Sequence, residues 1–281
     1  MLVFHTEFST LYISTQRSVT TTNPTYVLYH ANCFDGFGAA WAAWKALGDR
    51  AIYIPVKHGN PPPEMPADAK VFILDFAYPK SILLDLKQRV ANLTLLDHHK
   101  TAQEDLIGLD FAIFDMHKSG AALAWEFWHP RAPLSDLVAY ISDRDLWQFE
   151  LPESREVFAA ICSYPMDFQV WDGFDIANLK QEGAVILRLQ KQLISSMCDQ
   201  VMFKDIAGYR VPVANATTFF SDVPHELCLR YPDAPFAAYY FDRGDGKRQW
   251  GLRSIGDFDV SAIAKKFGGG GHLNSAGFLE G

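Results

Sequence analysis

The chain has 281 residues, of which 49% are hydrophobic and 14% aromatic, enough apolar side chain to bury a full core in one large domain or two moderate ones. Global disorder is therefore excluded. A formal net charge of −8 argues against holding long duplex nucleic acid, which takes a basic surface, yet it admits small anions, because a bound divalent cation inverts the local potential.

Residues 1–24 are hydroxyl-rich and lack a basic segment followed by an apolar one, so they read as a flexible N-terminal extension. From Tyr26 onward, short apolar runs alternate with helix-like stretches, the pattern of βαβ units in a parallel sheet. The strand-like runs are Tyr26–Tyr29, Ala51–Val56, Val71–Leu74 and Leu93–Leu96, with Phe37–Leu47 and Lys80–Val90 suited to amphipathic helices. Runs this continuous are buried on both faces, which calls for helices on both sides of the sheet. Leu134–Ile141 has helical spacing and delivers Asp143 and Asp145 at its end. Ile176–Val201 carries Leu179, Ile186, Leu189, Leu193 and Met197 on one helical face, which predicts a long helix leading out of the first domain. Strand signals then resume at Tyr209–Ala214, Phe236–Phe241 and Trp250–Ser254, with a hairpin turn at 243–247 and a helix over Val260–Phe267. The expected architecture is α/β: a parallel-sheet domain over 25–175, a linker helix over 176–204 and a smaller α/β domain over 205–281.

No apolar run approaches the roughly 18 residues that span a bilayer. The cysteines Cys33, Cys162, Cys198 and Cys228 stand far apart with no Cys-x-x-Cys pair. Both features suit a cytoplasmic protein with reduced thiols and no membrane partner. Cys33 has no second thiol or evident base beside it and reads as a buried spectator. Trp41, Trp44, Trp125 and Trp128 read as core.

Three of the four apolar runs end directly in ligand-type residues: Tyr29 in His30, Leu74 in Asp75, and Leu96 in Asp97-His98-His99. In an open α/β sheet the carboxyl ends of the strands border one crevice, so ligands placed there converge. Oxygen and imidazole donors suit a divalent ion such as Mn²⁺, with Mg²⁺, Co²⁺ or Zn²⁺ as substitutes. Taken singly, an Asp at a strand end is as readily the N-cap of the next helix. Adjacent histidines project to different sides, so His98 and His99 are expected to do different work.

The ordered set His30…Asp35-Gly36, Leu74-Asp75, Asp97-His98-His99 and Ile141-Ser142-Asp143, closed by Gly268-Gly269-Gly270-Gly271-His272…Ala276-Gly277, resembles the DHH phosphoesterases over residues 25–281, in their oligoribonuclease and exopolyphosphatase branch. The resemblance implies that His30, Asp35, Asp75 and Asp143 bind one metal ion, and that Asp75 bridges to a second held with His98. It further implies that His99 contacts the substrate phosphate and that Asp97 orients the neighbouring imidazoles. Asp75, His98 and His99 would then be catalytic, with one or two Mn²⁺ ions as cofactor. One departure stands out: the family carries a further Asp two residues after Asp35, where this chain has Phe37, and an extra residue separates His30 from Asp35. The second ion thereby loses a carboxylate. In the C-terminal domain Arg253 and Ser254 follow a strand, and Gly269, Gly270 and Gly271 offer unobstructed amides for a terminal phosphate, with His272 as a further donor. Taken alone, the glycine run is a turn after a helix.

The expected function is metal-dependent hydrolysis of short oligonucleotides or nucleotide phosphoesters in an interdomain cleft. Its rivals are a polyphosphate or pyrophosphate hydrolase and, given Phe37, a catalytically reduced nucleotide-binding protein. Sparse basic residues in the C-terminal part favour nucleotides. A homodimer is left open.

Overall fold

The computed structural model describes residues 23–57 and 59–281, so nearly all of the extension expected over residues 1–24 lies outside the described residues. Five parallel strands, β1 (Thr25–His30), β2 (Ala51–Val56), β3 (Lys70–Leu74), β4 (Asn92–Asp97) and β5 (Ala112–Phe114), form one sheet in the order β2-β1-β3-β4-β5. Successive side chains point to opposite faces, and both faces are covered. Leu28, Ile73 and Leu95 pack with Leu83 and Leu86 of α2 (Lys80–Arg89). Their neighbours Val27, Leu74 and Leu96 pack with Ala39, Ala42 and Ala43 of α1 (Phe34–Leu47) and with Ala124 of α4 (Gly120–Trp128). Burial on both sides is why the strands read as unbroken apolar runs. The short α3 (Lys100–Asp105) follows β4 directly.

Beyond the sheet, α5 (Asp136–Asp145), α6 (Ser154–Ile161) and α7 (Phe168–Asp172) gather with α1 around Phe37, Trp41, Ile141, Val157, Ile161 and Trp171. The long helix α8 (Ile176–Cys198) starts where the spacing predicts. Its buried side runs through Leu179, Gly183 and Cys198, so Leu189 and Leu193, expected on the packed face, are 57% and 42% exposed. The reason is that α8 packs against α6 at one end and against α9 (Asp222–Arg230) at the other, which leaves the middle of its apolar face open.

A second sheet starts at Met202, inside the segment expected as linker. It comprises β6 (Met202–Ile206), β7 (Tyr209–Asn215), β8 (Ala237–Asp242), β9 (Arg248–Arg253), β10 (Gly270–Gly271) and β11 (Ser275–Glu280), in the order β10-β11-β9-β8-β7-β6, antiparallel except for β7 against β8. The hairpin turn expected at 243–247 joins β8 to β9, with the Arg243 amide donating to the Lys247 carbonyl. Helix α10 (Val260–Lys265) covers one face through Val260, Ile263 and Ala264, and α9 covers the other through Val223 and Leu227.

The first sheet's order sets the site. From β1 the chain goes to β2 on one side and returns through β3, β4 and β5 on the other, so the crevice opens at the carboxyl ends of β1 and β3.

Candidate metal centre and its cleft

His30 ends β1, Asp75 follows β3, and Asp97, His98 and His99 close β4, so parallel pairing carries them to one edge. His30 Nδ1 lies 3.3 Å from Asp75 Oδ2. His98 Nε2 faces three carboxylates: Asp75 Oδ1 at 3.2 Å, and Asp35 Oδ2 and Asp145 Oδ2 at 3.5 Å each. Asp35, in the first turn of α1, accepts the Gly120 and Ala121 amides at the start of α4, at 2.6 and 2.9 Å. That approach requires glycine at 120, where a Cβ would lie 2.6 Å from Asp75 Cβ. Asp75 caps no helix, since α2 opens after Pro79. It holds a left-handed backbone with φ 61°, at a cost of order 1 kcal/mol, a kind of strain that collects at functional sites.

The two histidines have separate surroundings. His98 is buried among the carboxylates, whereas His99 Nδ1 lies 2.7 Å from Asp97 Oδ1, which also accepts the His98 amide at 2.8 Å. The His99 and His272 rings stack at 4.5 Å between centroids, which brings the C-terminal part of the chain onto the cluster.

Asp143 requires a correction. Its oxygens accept the Glu150 and Leu151 amides at 2.8 and 3.4 Å, and it brings no ligand atom to the cluster, whereas Asp145 does. At 100° per residue, positions 143 and 145 point to nearly opposite sides of α5, so only one of them can face His98. Phe37 is 2% exposed and stacks on Phe168 at 4.8 Å, so that position points into the core.

Electrostatics give the cluster its character. Burial, followed by the charges of Asp145 and Asp75, pushes the Asp35 carboxyl well above the usual range. Enclosure and Asp75 raise Asp145 despite the attraction of His98. Burial opposes ionisation of Asp75, but contacts with His30 and His98 outweigh it and hold Asp75 well below the usual range. Burial likewise opposes a charge on His98, yet Asp75, Asp145 and Asp35 push it up to about 10. His99 is raised to about 9 by Asp97 against its burial. His272 is pushed down to about 2 by burial and then by the charges of His99 and His98. For Cys33, burial and then Asp75, Asp145 and Asp35 raise the thiol well above its usual value.

Among the described residues, Asp75 Oδ1, Asp97 Oδ2 and His98 Nδ1 are buried without a hydrogen-bond partner. Orphaned carboxylate oxygens among mutually repelling carboxylates fit a divalent cation, which supplies the missing partner and cancels the repulsion. Among the described residues, ligand atoms within 4.8 Å of one another form four sets: Asp35, His98 and Asp145; His30, Cys33 and Asp75; Asp75, Asp97 and His99; and His98, His99 and His272.

A cleft of about 700 Å³ opens beside the cluster, its lining including His30, Asp35 and Asp145 of the cluster and Arg144, Phe149, Arg155 and Phe220. Arg253 lies 3.8 Å from the Trp147 ring and Arg144 4.1 Å from it, while Arg155 lies 3.5 Å from the Phe149 ring. Arg144 pairs with Asp222 at 2.9 Å; among the described residues Arg155 and Arg253 form no ion pair. Burial and then Arg144 lower Arg253 to about 10, which leaves it charged at neutral pH. In the sequence Arg144, beside Asp143, reads as readily as a loop-fixing ion pair as a substrate contact, whereas Arg155 gives no signal, because a single arginine in a helical stretch is an ordinary surface residue.

The other expected C-terminal contacts change. Ser254 is 2% exposed, donates to the Phe258 carbonyl at 2.7 Å and accepts from Asn274 Nδ2, so its hydroxyl ties β9 to the following loop. The nest expected from Gly269, Gly270 and Gly271 does not form as such: the Gly269 amide donates to the Ala264 carbonyl and the Gly271 amide to Thr101 Oγ1. Gly270 and Gly271 pair with β11 as a strand. Glycine is needed for close approach, since a Cβ on Gly269 would lie 2.0 Å from the Gly277 carbonyl oxygen and one on Gly270 2.9 Å from Thr101 Oγ1. The run docks the second sheet on α3 and carries His272 to His99.

No family model matches the chain. An uncharacterized protein of Acanthamoeba polyphaga mimivirus is 30% identical over 278 residues, covering 89% of this chain. The chain spans 66% of that relative's length. A pGpG-specific phosphodiesterase from Vibrio cholerae is 13% identical, with a TM-score of 0.49 over 92% of this chain and 93% of that one. An exopolyphosphatase-related protein from Bacteroides fragilis is 16% identical, with a TM-score of 0.55 over 91% of this chain and 86% of that one. At that identity the likeness to the exopolyphosphatase-related protein is one of fold, the α/β class that the sequence leads one to expect.

Proposed function

We propose that the chain is a metal-dependent phosphoesterase acting on short oligonucleotides or nucleotide phosphoesters, with Mn²⁺ as its ion, in a cleft between a domain over 25–175 and a smaller one over 205–281. The observation that carries this reading is the convergence of Asp35, Asp75 and Asp145 within 3.5 Å of one buried imidazole nitrogen. His30, Asp35, Asp75, His98 and Asp145 would hold the metal. A divalent ion there supplies an activated water and neutralises charge on phosphate oxygens.

The chain's own residues do the rest. Asp97 fixes the His99 ring and favours its protonated form, which suits His99 to donate a hydrogen bond to a phosphate oxygen. Arg253 is a preorganised, enclosed charge for the negative charge that develops in the transition state. Phe149, Phe158, Phe219 and Phe220 along the cleft suit stacked bases, which favours nucleotides over bare polyphosphate, the second reading that the fold shared with the exopolyphosphatase-related protein keeps open. The test is release of mononucleotides from a dinucleotide beside release of phosphate from short polyphosphate, each with and without Mn²⁺. Mononucleotide release that depends on the ion is expected. Tight nucleotide binding that needs no metal, with no turnover of either substrate, sinks the proposal.

A further inference from the structure

The turn between β1 and α1 brings a thiol to the same cluster. Cys33 occupies the N-cap position of α1 with extended backbone, φ −118° and ψ 131°, and its side chain makes no cap hydrogen bond. Its Sγ instead lies within 4.8 Å of a ligand nitrogen of His30 and a ligand oxygen of Asp75, on the wall of the cleft. Two of the other cysteines are used differently: Cys198 donates to the Val223 carbonyl at 3.5 Å and Cys228 to the Arg253 carbonyl at 3.2 Å. Position 37, where a further carboxylate was expected, is closed to the site because Phe37 packs against Phe168 and Trp171. The His30 and Asp75 side of the cluster therefore gains no carboxylate from position 37, and the turn brings the Cys33 thiol to it instead.

We propose that Cys33 is a metal ligand, its thiolate completing a nitrogen, oxygen and sulfur set with His30 and Asp75. The inference rests on reading the cluster as a metal centre. On binding, the S–H bond breaks, the sulfur pair binds the ion and the proton leaves to solvent. A soft donor in an otherwise hard site moves preference from Mg²⁺ toward Co²⁺ and Zn²⁺, which distinguishes this centre from one built of carboxylates and imidazoles alone.

Cobalt reports sulfur ligation directly. The full chain and its Cys33→Ser and Cys33→Asp variants are loaded with Co²⁺, bound cobalt is counted, and the near-ultraviolet and visible spectra are recorded. The wild type should show a thiolate-to-cobalt charge-transfer band. Cys33→Ser should still bind cobalt without that band and at least about tenfold more weakly, since even outer partners of a ligand are worth that much. Cys33→Asp should also lack the band and bind Mn²⁺ better relative to Co²⁺ than the wild type does. Cobalt bound to the wild type without the band, or an unchanged band in Cys33→Ser, overturns the sulfur ligand while leaving the metal centre standing. No cobalt retained by the wild type overturns both.

Discussion

The two walls of the cleft carry opposite charge and come from opposite kinds of assembly. On one side, Asp35, Asp75 and Asp145 crowd around His98; on the other, Arg144 pairs with Asp222 while Arg155 and Arg253 have no ion pair among the described residues, and all three lie on the rings of Trp147 and Phe149. The acidic wall is seeded by strand ends, which bring His30, Asp75 and His98 to one edge, and is completed by Asp35 of α1 and Asp145 of α5. The cationic wall is made by side chains from α5, α6 and β9 that meet only once the second sheet has docked. Helix α5 serves both: Asp145 faces the imidazoles, Arg144 one position earlier faces the aromatic rings, and Asp143 turns away from both. Each buried charge excess is unfavourable alone, and together they describe a site for a cation on one side and an anion beside it.

Breaking the acidic wall should have the largest effect. Asp75→Asn keeps the shape and tolerates the left-handed backbone, so the fold should survive while kcat/KM falls by about a thousandfold or more, in the range of losses for groups that stabilise a transition state. Metal-dependent turnover that persists in this variant, with an unchanged circular dichroism spectrum, means that the centre lies elsewhere. The pair on α5 sharpens the point. Asp145→Asn should lose roughly a hundredfold in metal affinity, as loss of even an outer partner can cost, and keep its melting temperature, because one of three repelling carboxylates is gone. Asp143→Ala should do the reverse. It removes two hydrogen bonds to a buried charge, from Glu150 and Leu151, at about 2 kcal/mol, and lowers the melting temperature while metal affinity stays put.

Legibility follows the same division. His30, Asp75 and His98 were readable because each follows an unbroken apolar run, and parallel strands have their carboxyl ends on one edge. Asp145 lay beside Asp143 in plain view, but only helix phase separates the two, and phase is fixed by how Leu137, Val138 and Ile141 pack. Arg144 is marked only by its place next to Asp143, and Arg155 carries no local signal at all. The glycine run was visible as a motif, yet its use is steric: it lets a strand pass against Thr101, which no spacing reveals. β5 is three residues long at a sheet edge, too short for a periodicity to register.

Weakening the cationic wall should show in substrate binding. Arg253→Met keeps the apolar contact with Trp147 but drops the charge, and the loss of one charge-assisted contact, about 1.5–3 kcal/mol, corresponds to roughly a ten- to hundredfold rise in KM or fall in kcat/KM. Steady-state kinetics on a dinucleotide measures it. An unchanged KM with an unchanged kcat removes Arg253 from the substrate's surroundings.

The smallest effect should come from the contact that docks one wall on the other. Lys100 of α3 pairs with Asp259, the N-cap of α10, which also accepts the Ser261 and Ala262 amides. Burial works against the Asp259 charge, but Lys100 and these donors lower its carboxyl to about 2. A folded-state value below the unfolded one means that the contribution is fully present above the ordinary carboxylate range, near pH 4, and is lost as pH falls through about 2. Both side chains are about a third exposed, 36% and 29%, so solvent screening keeps the pair to less than about 1 kcal/mol. Lys100→Ala should therefore lower the melting temperature slightly at pH 6, with the difference from wild type shrinking as the pH drops below 3. A deficit that stays the same at pH 2 would assign the role of Lys100 to packing of its methylene chain, because about half of the Asp259 charge is then gone in the wild type.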